Sequence, residues 1–216
     1  MLKFSSILHT VLDVLFPHTQ AIAALERMTH VEFIERAGKA EERAGKGIIS
    51  IAEYRRPLVR QAVWELKYRG NKKVAGLLGA ALYEEMLAFL EEYAPLTGFT
   101  SPLLIPIPLS KRRERERGFN QSLLLAEAIL KLDGGQNFAL STALSKVKDT
   151  QSQTKTESKG ERIRNLIGCF KADASVKGRN IILIDDVATT GATLEEASKT
   201  LRRAGARKII AFTVAH

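Results

Sequence analysis

The spacing of apolar residues predicts helices at the start of the chain. Apolar side chains recur at helical spacing in residues 2–16 and again in residues 19–45, so each stretch predicts an amphipathic helix. The first helix ends at Pro17. It has roughly the plan of a secretory signal, but His9 and Asp13 interrupt its apolar run. A helix that docks on the rest of the protein is therefore the better interpretation.

The next part of the chain predicts one strand followed by two helices. The run Ile48–Ala52 is short, branched and apolar, as strands are. Pro57 suits the first position of a helix, and Gly70 suits the position just after its end. A further helix is predicted over residues 72–93.

From residue 102 onward, strands and helices alternate. The short apolar runs predict strands that are buried on both faces, and the segments between them predict helices and loops. In chain order we predict strand Leu103–Ile107, a basic loop Lys111–Gly118, helix 121–132, a strand or hairpin near 138–147, strand Ile181–Ile184, helix Thr193–Ala204 and strand Ile209–Val214. This order with short connections predicts an α/β fold, a parallel sheet flanked by helices. We expect that domain over residues 48–216, behind a helical N-terminal extension over residues 1–47.

Composition excludes several classes of protein. The chain has 216 residues, of which 45% are hydrophobic and 26% charged, as is ordinary for one folded domain. A membrane span is not expected, because there is no run of about 18 uncharged apolar residues. Cys169 is the only cysteine, which excludes a disulfide framework and a cysteine-based zinc finger within one chain. A cytoplasmic location is the simplest expectation.

The stretch Ile181–Thr193, IILIDDVATTGAT, carries the most chemical information. A buried strand is followed by two carboxylates, Asp185 and Asp186, and then by a turn of small residues that leads into a helix. Unpaired N–H groups at a helix N-terminus suit a phosphate, and Gly191 allows the backbone to approach it closely. Carboxylates only accept hydrogen bonds, so they suit sugar hydroxyls. The stretch predicts an anion site beside a polyol site.

A simpler interpretation of the same residues is an ordinary loop that caps a helix, since Asp, Thr and Gly are common in such loops. The full thirteen-residue pattern behind a buried strand favours the binding site. Competing phosphate motifs are absent from the sequence, both the P-loop and the G-x-G-x-x-G of dinucleotide sites.

This motif resembles the PRPP-binding signature of type I phosphoribosyltransferases. Other stretches resemble the ComF/GntX family of competence-associated phosphoribosyltransferase-like proteins. They are Trp64–Gly70 (WELKYRG), Ile105–Leu109 (IPIPL) with Arg115–Gln121 (RERGFNQ), and Gln153 with Glu161–Asn165 before Phe170. The match runs from about residue 50 to residue 216, and it implies a type I phosphoribosyltransferase-like sheet.

The N-terminal part departs from the family pattern. Members carry a four-cysteine zinc module directly after a Leu-Phe-Pro sequence. Here Leu15, Phe16 and Pro17 are present, but no cysteine follows them in the N-terminal part. Zinc is therefore not expected, and the helical extension takes the place of the module.

The resemblance implies a role for each part of the site. Asp185 and Asp186 would be the catalytic pair and would hold the ribose 2′- and 3′-hydroxyls. The 5′-phosphate would bind to Thr189, Thr190, Gly191, Ala192 and Thr193. The pyrophosphate would bind after Ile105–Leu109, with cations to neutralise it at Lys111, Arg112, Arg113 and Arg117. Residues 148–165 match a flexible loop that closes over the site. Mg²⁺ would be held through PRPP and not by direct protein ligands.

Positive charge is concentrated in three stretches. The formal net charge is +9, and residues 55–73 contribute +6 while residues 111–117 and 146–164 contribute +3 each. Solvated surfaces, a pyrophosphate-binding rim and a track for single-stranded DNA would each explain such stretches. For the track, aromatic side chains among the charges could stack on unpaired bases. The candidates are Tyr54, Trp64, Tyr68 and Phe119, although Trp64 and Phe119 suit a core equally well.

Three functions follow as hypotheses. The first is a PRPP-binding protein of the ComF type that acts in DNA uptake and binds single-stranded DNA. The second is a conventional phosphoribosyltransferase that transfers the phosphoribosyl group to a nucleobase or another small acceptor and releases pyrophosphate. The third is a degenerate fold that serves as a scaffold. The sequence leaves the acceptor, the oligomeric state and the role of residues 18–47 open.

Overall fold

The structure is a computed structural model that describes residues 20–38, 40, 47–149 and 165–216. The helix expected over residues 2–16 lies outside the described residues. So does most of the loop expected over residues 148–165.

A parallel sheet lies at the centre of the described part of the chain. Its strands are β1 (Ile48–Ala52), β2 (Leu103–Pro106), β3 (Ala139–Leu140), β6 (Asn180–Val187) and β7 (Lys208–Ala215). Their order is β1-β7-β6-β2-β3, and all neighbours are parallel. A separate antiparallel ribbon joins β4 (Leu144–Lys146) to β5 (Phe170–Ala172). The expected parallel α/β sheet is confirmed.

Helices cover both faces of the sheet, so its strands are apolar on both sides. The helices are α1 (Gln20–Arg27), α2 (His30–Ala37), α3 (Pro57–Trp64), α4 (Lys72–Thr97), α5 (Lys111–Arg117), α6 (Gln121–Asp133) and α7 (Ala192–Arg203). A π-helical turn, Glu65–Arg69, continues α3, and Ala174–Val176 is a short 3₁₀ turn. Within the described ranges, none of these helices has the length and apolar character needed to span a bilayer.

Successive residues of the central strand β6 enter different cores, as alternation along a strand requires. Ile182 and Ile184 pack with α1–α4 and α6. Ile181 and Leu183 pack with α7 and the β4–β5 ribbon. The strand is therefore fixed from both faces, and so is the chain that leaves its C-terminal end.

The N-terminal helices share the first of these cores. Leu25 of α1 and Phe33 of α2 are fully buried there. Asn71 links the same region, because its side-chain amide donates to Glu26 at 2.8 Å and to Glu65 at 3.4 Å. Residues 20–37 thus support the segment that contains the π-helical turn.

The single helix predicted over residues 19–45 is wrong, because the structure has two helices there. Thr29 begins the second one with a capping box. Its hydroxyl accepts from the backbone N–H of Glu32, and the Glu32 carboxylate accepts from the backbone N–H of Thr29, both at 3.2 Å. The capping box starts a new helix at this point, so α1 and α2 are two separate helices.

Three other predictions of secondary structure need correction. The basic loop Lys111–Gly118 is the helix α5, begun by the Ser110 hydroxyl and ended by Gly118 at φ 83°. Of the strand or hairpin predicted near 138–147, strands form but the hairpin does not, since β3 joins the main sheet and β4 pairs with β5. The helix predicted over residues 72–93 extends to Thr97.

Gly70 ends the π-helical turn at a close contact between two of the motifs. Its φ is 59°, and a Cβ at this position would lie 2.9 Å from the ring of Phe119. Both the left-handed backbone and the contact therefore require glycine. The segment Trp64–Gly70 therefore packs directly against the segment that contains Phe119.

We predict that Gly70→Ala destabilises the protein more than Gly134→Ala does. Both glycines have φ of 59°, but nothing lies within 4 Å of a Cβ at Gly134. Gly134→Ala should cost about 1 kcal/mol for the left-handed backbone alone. Gly70→Ala should cost roughly 1–3 kcal/mol more because of Phe119. Urea unfolding of the two variants measures the difference, and equal losses would show that the Phe119 ring moves aside.

Candidate functional site

Two adjacent carboxylates lie at the C-terminal end of the central strand. Asp185 is 8% exposed and Asp186 is 3% exposed. Asp185 accepts a hydrogen bond from the Ser122 hydroxyl at 2.9 Å and another from the backbone N–H of Asp186 at 2.9 Å. The strand therefore delivers both carboxylates into the protein at one point, against the first turn of α6.

Asp186 is enclosed by groups from two of the motif stretches. The Lys67 ammonium lies 2.5 Å from its Oδ2 atom, and the Gln121 amide donates to its Oδ1 atom at 3.2 Å. Arg117 donates in turn to the Gln121 side chain at 2.5 Å. Asp186 thus joins the π-helical turn to the start of α6.

The first turn of α6 is fixed by Asn120. Its side-chain oxygen accepts from the backbone N–H of Ser122 at 2.9 Å, which caps the helix. Its side-chain nitrogen donates to the carbonyl of Ile107 at 3.0 Å. The cap therefore ties α6 to the chain just after β2, so that Gln121 and Ser122 face the two carboxylates.

The electrostatics of the site follow from burial. Burial, together with the charge of Asp186, raises the pKa of Asp185 from its ordinary value to about 7, and Lys67 opposes that rise. Burial alone would lower the pKa of Lys67, but the charges of Asp186 and Asp185 outweigh it and raise that pKa. Lys67 therefore stays positively charged beside the carboxylates.

A small open pocket lies between Asp185 and the start of α7. It has an empty volume of about 210 Å³ and is lined by Asp185 and by residues 187–194. Gly191 is the N-cap of α7, with φ of 71°. The phosphate residues expected from the motif, Thr189, Thr190, Gly191, Ala192 and Thr193, therefore line one pocket together with one of the two carboxylates.

The four basic residues expected at the rim have different surroundings. Lys111 and Arg112 are exposed, while Arg113 and Arg117 are half-buried. Arg112 pairs with Glu116 at 3.0 Å and with Asp149 at 3.4 Å. Arg117 belongs to the hydrogen-bond chain that ends at Asp186. Burial lowers the pKa of Arg117, and Asp186 opposes that effect.

The sequence analysis did not assign roles to Lys67, Gln121 or Ser122, although all three contact the carboxylates. Each occurs in or beside a quoted motif stretch. For Lys67, the sequence signal was its place between Leu66 and Tyr68, in a predicted helix with a buried face. Another was Asn120, a capping residue that fixes where α6 begins.

We predict that Asp185→Asn stabilises the protein at and above neutral pH. The folded protein holds the Asp185 proton more tightly than the unfolded chain, so ionisation of this carboxyl lowers the unfolding free energy as the pH rises from about 4 to 7. The variant avoids that loss. Its advantage over the wild type should reach roughly 1–3 kcal/mol above pH 7 and vanish near pH 4. Thermal unfolding across that range measures it.

Asp133→Asn is the matched control, because Asp133 is 1% exposed but has the opposite electrostatics. Burial would raise the pKa of Asp133, but hydrogen bonds from Asn137 and Phe138 lower it. This variant should lose stability at neutral pH, and its deficit should shrink as the carboxyl protonates in acid. An Asp185→Asn protein less stable than the wild type above pH 7 would contradict the electrostatic account.

Known proteins match this chain in sequence. Residues 122–216 match the family model described as phosphoribosyl transferase domain. The chain is 32% identical over 163 residues to the DNA utilization protein YhgH of Escherichia coli O157:H7, which covers 75% of this chain and 68% of that protein. It is 33% identical over 158 residues to competence protein ComFC of Bacillus subtilis, covering 73% of this chain and 59% of that one.

A solved structure, glutamine phosphoribosylpyrophosphate (PRPP) amidotransferase from B. subtilis, is similar at a TM-score of 0.41 and 16% identity, covering 70% of this chain and 30% of that one. The sequence matches extend beyond the domain model into the segment with the π-helical turn, since they cover about three quarters of the chain. The resemblance expected from the motifs is thereby confirmed. This chain belongs to the ComF family of proteins with a phosphoribosyltransferase domain.

Proposed function

We propose that this protein binds PRPP in the pocket at the end of β6 and serves in DNA uptake. The observation that carries the proposal is the buried pair Asp185 and Asp186 directly beside the pocket at the start of α7. Carboxylates accept from a ribose diol, and the backbone N–H groups at the N-terminus of α7 donate to a phosphate. The same pocket therefore offers hydrogen-bond acceptors to the hydroxyls of a phosphorylated sugar and hydrogen-bond donors to its phosphate.

In this proposal, Lys67 prepares the carboxylates for the sugar. Two ionised carboxylates side by side repel each other, and a protonated carboxyl offers fewer acceptors to the hydroxyls than an ionised one. The Lys67 ammonium lies 2.5 Å from Asp186 and opposes the rise in the pKa of Asp185. Ser122 and Gln121 hold the carboxylate planes in place.

Mg²⁺ would enter the site with PRPP. Among the residues that the structure describes, no three His, Cys, Asp or Glu side chains come together as a metal-binding group. Asp185 and Asp186 are oxygen donors of the type that Mg²⁺ accepts. When bound, Mg²⁺ would neutralise charge on the pyrophosphate, beside the basic residues of α5.

The role in DNA uptake is supported by the similar proteins and by the charge. Two of them are named a DNA utilization protein and a competence protein. The chain carries +9 overall, and the basic stretches 55–73 and 111–117 each contribute a residue to the Asp186 network, Lys67 and Arg117. A single strand of DNA is the nucleic acid we propose, its phosphates bound by exposed basic side chains.

We predict that PRPP with Mg²⁺ binds saturably to the wild type and about tenfold to a hundredfold more weakly to Asp185→Asn/Asp186→Asn, because charge-assisted hydrogen bonds are lost. Calorimetric titration measures both affinities. Asp173→Asn, which alters an exposed carboxylate bonded to Ser175, is the control and should bind as the wild type does. A folded wild type that binds no PRPP would refute the proposal.

Lys111→Ala/Arg112→Ala should weaken binding to single-stranded DNA and make it less sensitive to salt. Each lost phosphate contact should reduce the slope of log affinity against log salt by about 0.7. We leave Arg117 unchanged, because it positions Gln121. Anisotropy of a labelled strand across a salt series measures the slope.

The control for that experiment removes the same charge elsewhere. Arg202→Ala/Arg203→Ala alters two exposed arginines at the C-terminal end of α7, whose N-terminal end lies at the pocket. Equal losses of DNA affinity in the two double variants would mean that DNA binding depends only on the net charge of the protein.

A further inference from the structure

One aromatic side chain near the site is exposed and has no role in the proposed binding of PRPP. Tyr68 is 46% exposed, although it lies in the middle of the π-helical turn. The two residues before it in the turn point into the protein, since Leu66 is fully buried and Lys67 reaches Asp186. The turn therefore presents the Tyr68 ring to solvent at the edge of the carboxylate site.

The ring is held in a fixed place. Trp64 packs against it with centroids 5.5 Å apart and planes tilted by 41°. The Arg117 guanidinium lies 5.8 Å from its centroid. The turn itself is fixed by the contact of Gly70 with Phe119. A ring that is already ordered loses little conformational entropy when a ligand stacks on it.

The surroundings suit a nucleic-acid strand better than a free base. Residues 55–73, which include the turn, carry a net charge of +6, and residues 111–117, which include the Arg117 at the ring, carry +3. A neutral base would gain nothing from that charge, whereas a strand offers a phosphate for each base. Every base also has a flat face that stacks on an aromatic ring, so such a site tolerates any sequence.

We propose that Tyr68 is the stacking platform for one base of single-stranded DNA, next to the ribose-binding carboxylates. The inference rests on the proposed function in that the strand is the one bound by the exposed basic residues. It adds a base-binding position to a surface otherwise defined only by charge. Phe119 does not serve this role, because its ring is packed against Gly70.

The experiment compares an oligo(dT) strand with an abasic strand of equal length, at one salt concentration, by anisotropy. The wild type should bind oligo(dT) about tenfold more tightly, since stacking of one base contributes that much. Tyr68→Ala should bind both strands with the affinity of the wild type for the abasic one. Tyr68→Phe, which keeps the ring, should retain the preference.

A fluorescence measurement locates the base, and a further variant serves as a control. Trp64 is the only tryptophan of the chain and lies against Tyr68, so oligo(dT) should quench its fluorescence while the abasic strand should not. Leu132→Ala removes an apolar side chain that is 51% exposed at the far end of α6, and it should bind like the wild type. That control separates the loss of the ring from the loss of any exposed apolar group.

The outcomes separate the two proposals. Equal binding of both strands by the wild type, with strong salt dependence, would overturn the stacking platform and leave the basic track in place. A wild-type preference for oligo(dT) that persists in Tyr68→Ala would place the stacking elsewhere and also overturn the inference. No binding of either strand would refute the proposed DNA binding itself. Free thymidine that displaces oligo(dT) at similar concentration would identify a site for a single base instead.

Discussion

The site depends on one ion pair, between Lys67 and Asp186. Two adjacent carboxylates in a buried position repel each other, and burial disfavours the ionised form of both. The ammonium 2.5 Å from Asp186 places a positive charge beside both carboxylates and opposes the rise in the pKa of Asp185, which reaches about 7. Without the lysine, the pKa of Asp185 would rise further, and its protonated carboxyl would offer a sugar fewer acceptors. The other contacts of the site are arranged around this pair.

The fold makes the pair possible by bringing the ends of several segments together. Parallel strands end at the same edge of a sheet, so β6 delivers Asp185 and Asp186 where β2 and its following loop also end. Asn120 binds the carbonyl of Ile107 and caps α6, which places Gln121 and Ser122 against the carboxylates. Lys67 arrives from the other side on the π-helical turn. The position of each of these side chains is fixed by the end of a helix or strand.

The sequence was sufficient to predict the strand, the two carboxylates at its end and the loop of small residues that leads into α7, because they form one continuous motif with a strong local pattern. The partners of Asp186 lie more than sixty positions away in the sequence. The spacing of apolar residues reports only local structure, so it could not predict these contacts. The helix α5 was also missed, since its side chains are all charged or polar and give no apolar spacing. Its caps, Ser110 and Gly118, were the signals present. The roles of Asp185 and Asp186 in binding remain predictions.

The π-helical turn explains how one short segment contributes to two kinds of surface. The backbone N–H groups of Gly70 and Asn71 both donate to the carbonyl of Glu65, so the turn is wider than an α-helical one. Turns of this type are frequent at functional sites, because the extra residue changes the directions of the side chains that follow. Here Lys67 points to the buried carboxylate and the adjacent Tyr68 points to solvent. The turn therefore joins the buried carboxylate site to the exposed ring beside it.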